Sequence, residues 1–309
     1  MSGLFEGWNR ATVPQNHLDP VPLEWVPADR VVSEPREAAE VSSIAMPEAS
    51  GSRGTVEPEN KFETEKARSV LVQPPQTSRL VAWTVPNGLG AEKFRALAVR
   101  LNDIRRKHQL TSLQVTSSVI NEGKSFVAAN LAVTLAKYSG FKTLLIEGDL
   151  HRPTLGSMFG LKDLQGLGDW WSRRNQDLDR YLLRFTGTAL WFLPAGKACD
   201  RPSDILGSAQ LAEAYAQLAG RFDWIIVDST PMLPVIDANL WSRLVDGTLL
   251  VVREGVAPLK ALKNGLQSLD NPKLIGVVVN EASEFDQVDY DGQYYGTRNY
   301  GDNRSKKPG

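Results

Sequence analysis

From residue 91 onward the chain alternates between two hydrophobic patterns. Phe94, Leu97, Leu101 and Ile104 recur at spacings of three or four, which puts them on one face of a helix over 91–107. A short apolar run at 113–115 precedes a polar loop and a second helix-like stretch over 126–138. Further apolar runs at 143–149, 188–193, 224–228, 247–252 and 274–280 predict strands, and 211–218, 237–244 and 258–269 predict helices between them. These strands lack clean apolar–polar alternation, as strands covered on both faces do. The implied fold is α/β, a mainly parallel central sheet with helices on both faces.

The two flanks carry no such pattern. Residues 1–80 are polar and turn-prone, which predicts a disordered, low-complexity arm whose last part, near 67–72, lies against the folded body. The folded domain is then expected over 81–285. Residues 286–309 form a polar, glycine-punctuated tail holding Tyr290, Tyr294, Tyr295 and Tyr300, four of the seven tyrosines in the chain. A segment with so little capacity to build a core leaves its tyrosines exposed, as acceptors of a modification or as aromatic contacts.

Composition narrows the classes. An apolar fraction of 42% in 309 residues supports one substantial core plus tails. The formal net charge of −1 provides no basic field, so nucleic acid is not an expected partner. The single cysteine, Cys199, cannot form an intramolecular disulfide, and His17, His108 and His151 lie too far apart for ligand spacing. No apolar run approaches the roughly 18 residues that span a bilayer, and the N-terminus lacks a signal-peptide pattern. A cytoplasmic location is expected.

The candidate chemistry starts at residues 116–125, Thr-Ser-Ser-Val-Ile-Asn-Glu-Gly-Lys-Ser, between a strand and a helix. A tight loop ending in Gly-Lys-Ser at a helix start suits nucleotide phosphates, because free amide groups and a lysine charge converge there. In that reading Lys124 meets the outer phosphates and the Ser125 hydroxyl meets Mg²⁺. Ser118 stands where the general pattern has its first glycine. Glu147 and Asp149 end one predicted strand and Asp228 another, at the edge where parallel sheets bind ligands. Such acids either organise a metal and an incoming hydroxyl or cap the following turn. Asn280 ends the last strand, placed to bond a base or to form a turn.

Three ordered segments carry a family resemblance. Residues 120–126 read Ile-Asn-Glu-Gly-Lys-Ser-Phe, residues 147–153 read Glu-Gly-Asp-Leu-His-Arg-Pro, and residues 228–231 read Asp-Ser-Thr-Pro. With the tyrosine tail, these resemble the cytoplasmic kinase domain of the bacterial protein-tyrosine kinases of polysaccharide synthesis and export. Those kinases are relatives of the deviant-Walker ATPases of the MinD and ParA type. The resemblance implies a P-loop fold that binds ATP and Mg²⁺. Asn121, Glu122, Gly123, Lys124, Ser125, Phe126 and Asn280 would contact the nucleotide, and Ser125, Asp149 and Asp228 the metal. Lys124, Glu147, Asp149 and Asp228 would serve catalysis, with Glu147 at the position of the acid that helps activate the tyrosine hydroxyl. Glu92, Arg95 and Arg100 resemble the family's contact that builds a ring of subunits, although Ala98 stands where its last arginine should be. Tail tyrosines would be phosphorylated across that ring. A membrane-embedded polysaccharide co-polymerase acting as activator, and a cognate phosphotyrosine phosphatase, are the implied partners, with recruitment to the inner face of the membrane.

The departures define the alternatives. Asn121 replaces a glycine, Ile120 a proline, Phe126 a hydroxyl residue, Glu147 an aspartate and His151 an arginine of the family pattern. They favour a nucleotide-binding scaffold with weakened transfer as the second reading. A partitioning-type ATPase is the third, although Ser118 and Val119 supply no signature lysine to the loop.

Overall fold

The computed structural model describes residues 23–27, 67–75, 77–173, 177–233, 236–268 and 273–281. The expected tail and most of the expected arm lie outside these residues. The strands are β1 (Leu23–Pro27), β2 (Arg68–Val70), β3 (Ser112–Ser117), β4 (Thr143–Glu147), β5 (Leu183–Phe185), β6 (Leu190–Leu193), β7 (Trp224–Asp228), β8 (Gly247–Arg253) and β9 (Leu274–Asn280). The principal helices are α1 (Leu89–His108), α2 (Lys124–Lys137), α3 (Ala209–Ala219), α4 (Asp237–Leu244) and α5 (Leu259–Ser268). Shorter helical turns at Val81–Thr84, Leu155–Met158, Leu167–Ser172 and Pro202–Leu206 fill the connections.

All nine strands join one sheet in the order β1-β9-β8-β3-β7-β4-β6-β5-β2. Its central strands are parallel, and only the β1–β9 and β5–β6 pairs are antiparallel. Every residue of β3, β4 and β7 is buried. The reason lies in the two-residue period of a strand. Leu145 and Ile226 point into the layer that holds α1 and α2, while their neighbours Leu144, Ile146, Ile225 and Val227 point into the layer that holds α3 and α4. Both faces are therefore apolar, which explains the missing alternation.

The stretch 127–136 of α2 is wholly buried, and Asn130 is its one side-chain amide. The Asn130 amide nitrogen donates to the carbonyls of Arg79 and Phe126, and its oxygen accepts from the Ala82 amide. One residue thus fastens the segment before α1 onto the helix that follows the phosphate loop.

The arm expected over 1–80 is not wholly outside the sheet. β1 pairs with β9 from Leu23↔Asn280 to Pro27↔Gly276, and β2 pairs with β5. An edge strand needs only main-chain bonds on one side, so neither has to carry the long apolar run that marks a central strand. Pro27 ends β1, a position that an edge strand tolerates in a residue without an amide proton.

Candidate active site

The carboxyl ends of β3, β4, β7, β8 and β9 gather the sequence-predicted residues at one edge of the sheet. β4 and β7 are registered so that Glu147 lies opposite Asp228, and Val115 of β3 is level with Asp228 on the other side. The loop leaving β3 turns through two left-handed residues, Asn121 (φ 65°) and Gly123 (φ 97°), before α2 begins at Lys124. Asparagine tolerates that conformation better than most side chains do. Gly123 has a second reason to be glycine, since the Asn280 side-chain amide fills the space that a β-carbon would take.

Lys124 is the centre of the site. Its Nζ lies 2.8 Å from Asp149 Oδ2, 3.9 Å from Asp228 Oδ1 and 3.4 Å from Ser125 Oγ. Burial works against its charge, but Asp228 and Asp149 outweigh that effect and hold its pKa above the usual lysine value. Asp149 also accepts from the Arg152 amide at 3.0 Å through its other oxygen. Asp228 is fully buried, and burial pushes its pKa up to about 6 against the opposing pull of Lys124. Neither Asp228 oxygen accepts a well-formed hydrogen bond from a described residue. Two orphaned carboxylate oxygens beside a lysine and a serine hydroxyl form a hard-oxygen setting suited to Mg²⁺. Among the described residues no cluster of three His, Cys, Asp or Glu side chains is arranged to hold a metal unaided. Mg²⁺ does not require one, because it keeps waters and takes phosphate oxygens alongside one or two carboxylates.

The geometry shows what several of the expected site residues touch. The Glu122 side chain faces inward rather than toward a nucleotide. Its Oε2 accepts from the Ser118 hydroxyl and the Val119 amide, both at 2.8 Å, and its Oε1 from the Arg253 amide at 3.3 Å. A second anion beside a triphosphate would repel it, whereas here the carboxylate braces the loop. Ser118, the apparent defect in the motif, supplies the hydroxyl for that brace.

Glu147 is likewise spent on structure. Its Oε1 accepts from the Leu155 amide at 2.6 Å and the Gly156 amide at 3.4 Å, and its Oε2 from the Ala195 amide at 3.1 Å. Burial raises its pKa and these amides hold it back. With both oxygens engaged, the carboxylate is a bracket between the β6 exit and the helical turn at Leu155–Met158, not a free partner for a tyrosine hydroxyl.

Phe126 stacks edge-on against Phe94, with ring centroids 5.5 Å apart, so it fills the α1–α2 interface. Its exposed side helps to line a small cleft with Arg79, Asn121, Gly123, Arg253, Asn280 and Glu281. Asn280 commits its amide nitrogen to the Glu122 carbonyl at 2.9 Å, and its buried oxygen is left without a donor.

The residues expected at a ring contact have these partners within the chain. Arg95 pairs with Glu92, donates to the Pro86 carbonyl at 2.8 Å and sits 5.4 Å from the Tyr138 ring centroid. Ala98 is buried and Arg100 is exposed. Tyr290, Tyr294, Tyr295 and Tyr300 lie outside the described residues. Sequence reasoning read Ser118 only as a departure from the motif and passed over Trp241 and Asp237, because no spacing rule says that a loop serine or a helix on a neighbouring connection will touch the site.

No family model matches the chain. It is 30% identical over 221 residues to a putative tyrosine-protein kinase, CapB, of Staphylococcus aureus, covering 71% of this chain and 94% of that protein. It is 29% identical over 221 residues to the tyrosine-protein kinase YwqD of Bacillus subtilis (strain 168), covering 71% and 92%. Among solved structures it resembles the kinase domain of the Escherichia coli tyrosine kinase ETK, with a TM-score of 0.60 and 26% identity over 65% of this chain and 78% of that one. The chimerical protein CapA2B2 matches with a TM-score of 0.59 and 28% identity over 72% of this chain and 99% of that one. The shared sheet, the loop at the head of α2 and near-complete coverage of the S. aureus relative agree: this chain belongs to the bacterial tyrosine-protein kinases of capsular and exopolysaccharide synthesis.

Proposed function

We propose that the chain is an ATP-dependent protein-tyrosine kinase that transfers the γ-phosphoryl group to tyrosines of its own C-terminal tail, acting between subunits to regulate polysaccharide polymerisation and export. The observation that carries this reading is Lys124 held between Asp149 and Asp228 at the head of α2. A lysine so placed meets the outer phosphates, and the amides from Gly123 onward meet the negative charge that spreads over the transferred group. Ser125, Asp149 and Asp228 would hold Mg²⁺, which supplies charge neutralisation of the β- and γ-phosphates.

In the transfer a phenol oxygen bonds to the γ-phosphorus, the bond to the bridging oxygen breaks and ADP departs. The phenolic proton passes to water or a nearby carboxylate. A loose transition state asks little of a base, so the engagement of Glu147 by three amides does not by itself prevent the reaction. Positioning and electrostatics carry the rate instead.

Among the described residues no helix is long and apolar enough to cross a membrane. A membrane-embedded polysaccharide co-polymerase would recruit the kinase to the inner face and activate it, and a phosphatase would reset the tail. Each tail phosphate would add about −1.5 to −2 of charge to the segment, which would oppose closure of a ring.

The test is a phosphotyrosine map of the full chain after incubation with labelled MgATP and an activator segment, beside the Lys124→Met variant. Label on Tyr290, Tyr294, Tyr295 or Tyr300, lost in the variant, is the expected result. Bound ATP with no label anywhere in the tail would instead establish the second reading, a nucleotide-binding scaffold. The observation favouring that rival is the same Glu147 bracket.

A further inference from the structure

Asp149 stands between two residues that are both held by one helix. On its N-terminal side, the Gly148 carbonyl accepts from the Trp241 indole nitrogen at 3.1 Å. The Gly148 amide donates to the Asp228 carbonyl at 2.8 Å, which fixes the other side of the same residue. There is no room for a side chain here, because a β-carbon would lie 2.8 Å from both the Trp241 ring and Val227. On the C-terminal side of Asp149, His151 Nε2 lies 2.9 Å from Asp237 Oδ2, and that aspartate is itself buried.

Asp237 and Trp241 are four residues apart on α4 and so occupy one face of it. Trp241 is completely buried and packs edge-on against Tyr215 of α3, with ring centroids 6.4 Å apart. The helix is thereby seated on its own layer and presents two fixed grips to the turn after β4. The segment leading into α4 begins at Asp228, so the same stretch of chain carries one acid of the site and splints the other.

We infer that α4 is a positioning element for the Asp149 carboxylate, with Trp241 and Asp237 setting where that carboxylate meets the metal-bound phosphates. Neither residue touches the nucleotide. Trp241 acts through the Gly148 peptide and Asp237 through His151. The inference rests on the nucleotide–Mg²⁺ reading above. It adds that the Mg²⁺-dependent part of nucleotide affinity is set by residues in a separate helix.

Titration calorimetry of the full chain with ADP, in Mg²⁺ and in a chelator, separates the two. In the wild-type chain Mg²⁺ should tighten ADP binding, and if it does not, the nucleotide–metal reading itself falls. Trp241→Phe removes the indole donor from the helix side, and His151→Ala removes the second grip from the exposed loop side. Each variant should weaken MgADP binding roughly tenfold, the scale of lost outer-shell support around a metal, and leave metal-free ADP binding within about twofold. The Mg²⁺ concentration for half-maximal binding should rise by the same factor. Unchanged MgADP affinity in both variants would overturn the inference while leaving the wild-type reading intact. Equal losses with and without Mg²⁺ would overturn it too, since they would mark general damage to the site.

Discussion

The Asn280 side-chain amide occupies the volume that a β-carbon on Gly123 would need, and the same amide donates to the neighbouring Glu122 carbonyl at 2.9 Å. The last strand of the sheet therefore dictates the residue at the head of α2. Gly123→Ala should cost about 2 kcal/mol of stability, from a left-handed backbone forced on alanine and from the displaced amide. Denaturant unfolding of Gly123→Ala, Asn280→Ala and the double variant checks this. The two losses should be non-additive, because removing the amide relieves one of the two penalties.

Lys124→Met leaves Asp149 and Asp228 buried without their cation. Nucleotide binding should weaken at least tenfold, and tail phosphorylation should fall below detection, because the lysine serves both ground state and transition state. Equilibrium binding of a fluorescent ADP analogue, alongside the phosphotyrosine map, separates the two effects.

Glu147→Ala removes one acceptor that serves three amides at two chain segments. The expected result is a loss of about 2–4 kcal/mol in denaturant unfolding, since hydrogen bonds to a charged group are the strong ones and buried amides are left without partners. Glu147→Gln should recover part of that stability. If Glu147 instead removed the phenolic proton, the glutamine variant would keep full stability and ADP affinity yet lose transfer.

Asp228 contributes a pH dependence whose sign follows from its raised pKa. Its carboxyl titrates near pH 6 in the folded chain and near 3.8 in the unfolded one, so the folded state holds the proton more tightly. The stabilisation from this group is complete below about pH 4 and is lost as pH rises through 6, a change of about 3 kcal/mol. Metal-free unfolding of the wild-type chain and Asp228→Asn between pH 4 and 7 isolates it. The wild type should fall relative to the variant across that interval, and MgADP should reverse the trend.

The central sheet was legible because its strands are buried on both faces and so appear as continuous apolar runs. The acids at 149 and 228 and the lysine at 124 were legible because strand ends and helix starts have fixed places in a parallel sheet. The direction of a side chain inside a loop has no such rule. Glu122 was expected at the nucleotide and Glu147 at the incoming hydroxyl or as a turn cap, and both accept from backbone amides that only the folded chain brings near. Ser118 looked like a broken motif until Glu122 was seen to need its hydroxyl. The edge strand β1 escaped, and β2 was expected only as chain lying against the body, because a few main-chain bonds leave no periodic signature.

The pairing of Leu23 with Asn280 gives that edge a practical weight. A recombinant version trimmed to begin at the first long helix would strip the cover from β9, whose final residue steadies the phosphate loop. Such a shortened protein would offer its bare margin to any passing strand, and its nucleotide affinity would understate that of the intact chain.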